Sequence, residues 1–149
     1  MVDKRALLQF CESFINNRVS RIQLNISGIQ ESLTSETKSS AGDKHETGRA
    51  MLQLEREKLG QQLLEAEKIK QNLSKVVLKV TTETIGLGSL VATAKSNYFL
   101  AISAGECKVG NSKVYCISPD TPIGKLIRGK RKGDHFIFNG ESIGITAVH

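Results

Sequence analysis

The sequence contains no tryptophan and only two prolines, two tyrosines and five phenylalanines among its 149 residues. Hydrophobic residues make up 39% of the chain, which is lean for one compact globule. A small domain must bury much of its apolar surface to offset the entropy of the chain. An elongated helical part would account for this composition, and the length allows one or two small domains.

Long apolar runs are also missing from the sequence. No stretch approaches the roughly 20 apolar residues that a membrane-spanning helix needs. The first ten residues, MVDKRALLQF, lack the apolar core of a signal peptide. We therefore expect a soluble, cytoplasmic protein with no membrane partner.

Cysteines are few, and their spacing excludes two kinds of site. Cys11, Cys107 and Cys116 are odd in number and form no CxxC pair. This pattern argues against a disulfide framework and against a zinc site. We expect buried or half-buried thiols in a reducing compartment.

Positive charge is in moderate excess, with 21 Lys and Arg against 15 Asp and Glu, a net charge of +6. This excess fits an acidic protein partner, nucleic acid or ordinary solubility, and does not choose among them. The densest basic run is KLIRGKRK, residues 125–132. It could contact an acidic surface or nucleic acid, or be a solvated turn. Few aromatic residues accompany it, which argues against stacking on single strands.

Apolar residues in the first half recur every three or four positions, which predicts two helices with one buried seam each. The first seam is Leu8, Cys11, Ile15, Val19, Ile22, Ile26, Ile29 and Leu33. The second seam is Leu52, Leu59, Leu63, Ala66, Ile69, Leu73 and either Val76 or Val77. Because each seam needs an apolar partner, we expect residues 1–80 to form an antiparallel coiled-coil hairpin. The polar loop Ser35–Gly42 would lie at its far end.

The second half, residues 81–149, has the pattern of short strands. Strands are expected in LVATA, YFLAIS, KVYCIS, HFIF and SIGITAV, and Asn139-Gly140 favours a two-residue hairpin turn. The stretch TPIGKLIRG predicts one short helix with Pro122 in its first turn and Gly129 at its end. The predicted fold class is therefore α+β: a helical hairpin followed by a small, twisted antiparallel sheet with one helix.

Two carboxylates, Asp43 and Glu46, stand at the predicted start of the second helix, within SSAGDKHETGRA. Asp before a helix with Glu three residues later is the pattern of a capping box. The same pair on a helical stalk could instead act chemically. The local sequence alone favours the cap. His45, between the acids, fits a solvated side chain with at most a supporting role.

The most specific stretch is ISPDTPIGKLIRGKRKGD, residues 117–134. It contains Ser-Pro, Pro-Ile-Gly, an apolar pair, Gly-Lys and Gly-Asp, in that order. This order and spacing resemble the C-terminal signature of the bacterial Gre transcript cleavage factors, the GreA/GreB family. That family also has a long coiled-coil hairpin with an acidic tip. The resemblance covers essentially the whole chain in architecture.

The resemblance implies an FKBP-like C-terminal domain that binds RNA polymerase at the mouth of its secondary channel, while the hairpin passes down the channel. Asp43 and Glu46 match the family's Asp-x-x-Glu at the tip. They would help hold the second Mg²⁺ and the attacking water of the polymerase active centre, beside the 3′ end of the transcript RNA. The positions expected to bind polymerase are Ser118, Pro119, Pro122, Ile123, Gly124, Lys125 and Arg128.

By this resemblance the protein stimulates the polymerase to cleave a backtracked transcript during elongation. It would have no nuclease activity and no cofactor of its own, sharing only the Mg²⁺ of the polymerase. We expect a monomer that makes at most weak contact with DNA or RNA elsewhere on its surface.

Two departures from the family pattern keep a second function open. Thr47 stands where the family has Asn, and Ala50-Met51 stand where it has Tyr-His. A factor that enters the channel and inhibits or modulates transcription without cleavage would need neither feature. A third hypothesis, an independent prolyl isomerase, requires an aromatic-lined pocket. The domain offers only Tyr98, Phe99, Tyr115, Phe136 and Phe138, several of them expected in the core.

Overall fold

The computed structural model describes residues 2–38, 43–78 and 83–149. Two long helices come first, α1 (Lys4–Lys38) and α2 (Asp43–Leu73). The elements that follow are β1 (Leu90–Thr93), β2 (Asn97–Leu100), β3 (Gly105–Val109), β4 (Ser112–Ile117), α3 (Pro122–Ile127), β5 (His135–Phe138) and β6 (Glu141–Val148). This order of helices and strands in the described residues confirms the predicted α+β class. No helix in these ranges is long and apolar enough to cross a membrane.

The chain divides into two compact units, which cut across both long helices. The helical unit is Ile15–Lys70, and the sheet unit combines Met1–Phe14 with Gln71–His149. The domain boundary predicted from the sequence, between residues 80 and 81, falls within residues 79–82, outside the described ranges. The division into domains 1–80 and 81–149 therefore stays a prediction.

The helical unit buries one seam on each of its helices. The buried residues are Ile15, Val19, Ile22 and Ile26 on α1, and Leu59 and Ala66 on α2. Arg49, near the start of α2, donates a hydrogen bond to the carbonyl oxygen of Leu33, near the end of α1, at 3.2 Å. This contact requires antiparallel helices, in agreement with the predicted hairpin.

The loop predicted at Ser35–Gly42 is shorter than expected. Helix α1 continues to Lys38, so the first four residues of that stretch, SETK, are helical. None of them is glycine or proline, and nothing in their backbone chemistry ends a helix. Residues 39–42 lie outside the described ranges.

The first turns of α1 belong to the sheet unit and have a different seam. Leu7 and Cys11 are fully buried there, whereas the predicted Leu8 is only half-buried. Leu7 and Cys11 are four apart and lie in the part of α1 that belongs to the sheet unit, whereas the seam of the helical unit begins at Ile15. Lys4 donates hydrogen bonds to the carbonyl oxygens of Leu78 and His149, and burial lowers the pKa of its ammonium group.

The strand order of the sheet is β3-β4-β2-β1-β6-β5. Neighbouring strands are antiparallel except β2 and β4, which are parallel with Phe99 opposite Cys116. The expectation of a wholly antiparallel sheet was wrong for this pair. Strand β3 was not predicted, since its sequence GECKV buries only Cys107 and has no clear alternation. Strand β3 lies between β2 and β4 in the sequence. Because β4 is antiparallel to β3, it runs in the same direction as β2 and pairs with it in parallel.

Both faces of the sheet contribute buried side chains. One face carries a cluster that includes the α3 residue Ile127, namely Ile85, Val91, Tyr98, Leu100, Ile127, Phe136, Ile143 and Ile145. Side chains alternate between faces along a strand, so a second set points the other way. That set is Leu90, Phe99, Cys107, Val114 and Cys116, all buried.

The two turns that the sequence specified most clearly are observed. Asn139 and Gly140 have φ angles of 52° and 76°, and Phe138 pairs with Glu141 across them. Positive φ at both central residues is the geometry of a type I′ turn. Gly129, with φ of 86°, follows the last residue of α3 and its cap, as expected for a helix end.

Candidate functional site

The two acids predicted at the tip lie in the first turn of α2, which begins at Asp43. Positions 43 and 46 are three apart, and positions with this spacing share one face of a helix. Glu46 is exposed, and for Asp43 and His45 the described geometry is that of the backbone alone. A helix start at Asp43 is compatible with both the capping interpretation and the chemical one.

Arg49 is a residue near the tip that sequence reasoning missed. Its guanidinium donates to the carbonyl oxygen of Leu33 at 3.2 Å, which ties the start of α2 to the final turns of α1. Arg49 is three positions after Glu46, so it restrains the part of α2 that carries the acid. The sequence signal for this contact is a basic residue near the start of α2. In an antiparallel hairpin that position lies beside the C-terminal end of α1, where a positive charge is favourable.

The motif SPDTPIG folds into the turn that begins α3. The Thr121 hydroxyl accepts a hydrogen bond from the Gly124 N–H at 3.1 Å and donates one to the Ser118 carbonyl oxygen at 2.8 Å. Pro122 occupies the first turn of the helix, where no partner for an N–H is needed. Gly124 is buried, and an added Cβ would lie 2.3 Å from the Ser118 carbonyl oxygen. Glycine is therefore required there by the close approach of the backbone.

Seven residues of this segment were predicted to bind polymerase, and their exposure differs. Pro122, Lys125 and Arg128 are exposed, and we call them the α3 surface. The half-buried members are Ser118, Pro119 and Ile123. Lys125 lies on α3, and Arg128 is the residue that caps its end. The segment thus presents two cations and a proline outward, while Gly124 shapes the turn beneath them.

The basic run continues past α3 through Lys130, Arg131 and Lys132. Its backbone is anchored, since the Lys130 carbonyl oxygen accepts from the Ile85 N–H at 2.8 Å. The Arg131 N–H donates to the Asp134 carboxylate at 2.8 Å. Across residues 2–38, 43–78 and 83–149, no ion pair joins a side chain of this run to an acid. Cationic side chains on a fixed backbone suit an acidic protein surface or a row of phosphates.

The five aromatic side chains of residues 83–149 are directed into the core of the sheet unit. Tyr98, Phe99 and Phe136 are buried, and Phe138 and Tyr115 pack against the cluster around Ile127. The rings of Tyr98 and Tyr115 lie 6.1 Å apart. These five aromatics therefore stabilise the fold, and the isomerase hypothesis loses the side chains from which its pocket was to be built.

Comparison with known proteins gives similarity to solved structures alone, since no family model and no curated protein matches the chain. One similar structure is described as the crystal structure of GreA factor homolog 1 (Gfh1) of Thermus thermophilus. It is 20% identical, with a TM-score of 0.39, over 93% of this chain and 94% of that one. A second is described as the transcription factor Gfh1, at 20% identity and a TM-score of 0.38, over 93% of each chain.

Proposed function

We propose that this protein is a Gre-type transcription factor that binds RNA polymerase and stimulates cleavage of backtracked transcripts. In this proposal the α3 surface docks on the polymerase near its secondary channel. The helical hairpin enters the channel, and its acidic end reaches the active centre. The protein acts in the cytoplasm as a monomer and has no nuclease activity alone.

The observation that carries the proposal is the pairing of two features in one chain. One is the signature of residues 117–134, whose Thr121 and Gly124 build a specific turn beneath an exposed cationic surface. The other is a carboxylate pair in the first turn of the second helix of a hairpin, with Glu46 exposed. Either feature alone has an ordinary structural explanation, whereas a Gre-type factor needs both.

The acids need to supply only one or two of the ligands of the metal ion. Mg²⁺ is held in proteins by one or two carboxylates together with phosphate oxygens and water, and Glu46 is free to supply such an oxygen. In the described part of the chain, no group of three or more His, Cys, Asp or Glu side chains is arranged to hold a metal ion. The remaining ligands would come from the polymerase and the transcript. Bound there, the second Mg²⁺ would help activate the water that attacks the phosphodiester.

Placement is then the main contribution of this chain. Effective catalysis requires the acids to be held in one geometry, because small displacements reduce the rate steeply. The rigid α-helix beneath Glu46 and the Arg49–Leu33 hydrogen bond both serve this purpose. The basic run beyond α3 can add weak contact with DNA or RNA, which would depend on salt concentration.

A second function remains a candidate because of the residues beside the acids. Thr47 and Met51 are both exposed, and Met51 exposes 66% of its surface. Neither offers the amide or imidazole that the family pattern has nearby. A factor that occupies the channel and modulates transcription without cleavage would tolerate these replacements.

The deciding experiment uses a stalled, backtracked elongation complex of the cognate polymerase with labelled RNA. Wild-type protein is expected to shorten the RNA in the presence of Mg²⁺. The Asp43→Ala/Glu46→Ala variant is expected to lose at least about 100-fold of the stimulated rate, as when groups that stabilise a transition state are removed. The matched control is Glu65→Ala/Glu67→Ala, which removes two other exposed carboxylates of α2.

Polymerase binding is measured for all three proteins by competition with a labelled wild type. Loss of cleavage with unchanged binding supports the proposal. Equal loss of both in the Asp43→Ala/Glu46→Ala variant would show that the acids stabilise the hairpin instead. Binding by wild type without RNA shortening would identify a non-cleaving channel factor.

A further inference from the structure

The sheet has two edge strands, β3 and β5, and they differ in what they expose. Strand β3 places the charged side chains of Glu106 and Lys108 at exposed positions, and Glu106 pairs with Lys113 at 3.4 Å. Charged side chains on an edge strand discourage pairing with another chain. Strand β5 exposes His135 and Ile137 instead, and the large apolar Ile137 is 68% exposed. The β5 side of the sheet is therefore more open to pairing than the β3 side.

The backbone of β5 has hydrogen-bonding groups to offer along its outer side. Phe138 and Glu141 flank the two-residue turn and form its hydrogen-bonded pair. Bonded and non-bonded pairs alternate along an antiparallel ladder, so the N–H and C=O groups of His135 and Ile137 point away from β6. In the residues that the structure describes, β5 pairs with no strand but β6. We call these outward groups, together with the Ile137 side chain, the β5 edge.

Positive charge lies next to the β5 edge. The cationic residues 130–132 end three positions before β5, and in the described part of the chain no acid pairs with their side chains. The nearby acids have partners, since Asp134 accepts from the backbone N–H of Arg131 and Glu141 pairs with Lys95. An extended segment with acidic side chains thus finds both backbone partners and opposite charge here.

We propose that the β5 edge binds an extended, acidic segment of a partner protein as an additional strand of the sheet. The N–H and C=O groups of His135 and Ile137 bond to the segment, and one of its apolar side chains covers Ile137 beside Ser142, the residue opposite on β6. In this mode of recognition main-chain bonds give affinity and side chains select the partner. The inference does not rest on the proposed function, because it uses neither the acids of α2 nor the α3 surface.

Nucleic acid is the other class of partner that the cations could serve, and the β5 edge favours a protein. Phosphates would pair with the cations alone and leave Ile137 and the outward N–H and C=O groups without partners. Strand β5 has only four residues, so a partner strand gains few main-chain bonds and its affinity depends on the adjacent charge. Binding should therefore weaken as the salt concentration rises.

The test uses the full chain and a fluorescein-labelled peptide of alternating glutamate and valine, whose binding is followed by fluorescence anisotropy. A second peptide of the same sequence has methylated central amides, so it keeps its side chains but cannot donate those hydrogen bonds. Wild type should bind the methylated peptide at least about fivefold more weakly than the first, the equivalent of one lost hydrogen bond. This comparison needs no variant of the protein.

Variants of the protein test the two parts of the site separately. Ile137→Pro removes an outward N–H that makes no bond to β6, as edge strands permit, and should weaken binding at least about fivefold. Ile137→Val keeps the backbone and an apolar side chain and should bind like wild type. Arg131→Ala/Lys132→Ala should weaken binding and reduce its salt dependence. The matched control, Lys68→Ala/Lys70→Ala, removes two exposed lysines of α2 and should do neither.

Hydrogen exchange of the backbone amides locates the bound peptide. The peptide should slow exchange at His135 and Ile137, whereas the amides of Phe136 and Phe138 already face β6. The proposal is overturned if the peptide does not bind, if the methylated peptide binds equally well, or if the protection falls elsewhere. Two further results would also overturn it. Binding of duplex DNA through residues 130–132 in place of the peptide would assign the cations to nucleic acid, and a dimer that Ile137→Pro disrupts would assign the edge to a second copy.

Discussion

The helical unit and the sheet unit bury their apolar residues in different ways. In the helical unit a single seam is buried, and large side chains such as Leu24, Leu54 and Leu64 remain mostly exposed. In the sheet unit both faces of the sheet carry buried side chains, and Phe99 and Leu100 point in opposite directions with no exposed surface. The helical unit therefore depends on local periodicity, and the sheet unit on contacts between distant segments.

This difference bears on how each unit can carry function. Residues at the tip can change without disturbing a seam that lies elsewhere on the helix, as Glu46 and Met51 illustrate. In the sheet unit the motif that presents Lys125 and Arg128 is held by Thr121 and Gly124, so the proposed polymerase-binding surface and the fold depend on the same residues. Substitutions at the tip should change activity without changing stability, whereas substitutions in the motif should change both.

The largest expected effect compares one buried residue from each unit. Phe99→Ala should destabilise the sheet unit by about 3–5 kcal/mol, because it leaves a cavity in a fully enclosed site. Ile22→Ala should cost about 2 kcal/mol, at the lower end for such changes, since the seam is one side chain wide and bordered by solvent. Leu24→Ala, at a residue 72% exposed, is the control and should stay within about 0.5 kcal/mol of wild type.

The measurement can follow each unit separately during urea unfolding. The two tyrosines of the chain both lie in the sheet unit and no tryptophan is present, so tyrosine fluorescence reports that unit. Circular dichroism at the helix band reports mainly α1 and α2. Equal losses of stability in Phe99→Ala and Ile22→Ala would contradict the difference that we expect between the two units. A single shared transition would show that the units unfold together.

A smaller difference in stability is expected when Gly124 and Gly28 are each replaced by alanine. Gly124→Ala places a Cβ 2.3 Å from the Ser118 carbonyl oxygen and should cost about 1–3 kcal/mol through overpacking. Gly28→Ala meets nothing within 4 Å on α1 and should stabilise the helix by up to about 1 kcal/mol. Urea midpoints give both values. Stabilisation by Gly124→Ala would contradict the structural role of the motif glycine.

The same contrast explains what the sequence could predict. Helices α1 and α2 follow from spacings of three and four residues, which a linear sequence displays directly. The Asn139-Gly140 turn and the α3 start follow from local backbone chemistry. Leu8 was predicted in place of Leu7 because the partner of that end of α1 changes from a helix to a sheet. Strand β3 was missed because an edge strand with one buried residue has little pattern.

The candidate site divides in a similar way. The acids Asp43 and Glu46 and the motif of residues 117–134 could be found from the sequence, because each is a contiguous pattern. The contact of Arg49 with Leu33 depends on the fold, since the two residues are 16 positions apart in the sequence.

The smallest expected effect concerns surface charge in the sheet unit. Lys95 and Glu141 form an ion pair at 2.6 Å, and both side chains are well exposed. The hydrogen bond from Lys95 to Glu141, with the charge of the carboxylate, raises the pKa of Lys95. A raised folded-state pKa means that the pair stabilises the protein below the ordinary lysine value of about 10.4. That stabilisation is lost as the pH rises through the folded-state pKa.

Exposed ion pairs contribute little because water and salt screen them. Lys95→Met should therefore leave the urea midpoint at neutral pH nearly unchanged, and should only flatten its fall at alkaline pH. Glu141→Gln should have the same effect, and the double variant should add nothing further, since the two residues act as one pair. A clear fall of the urea midpoint at neutral pH in either single variant would contradict this expectation. It would show that surface charge, and not only buried contacts, stabilises the sheet unit.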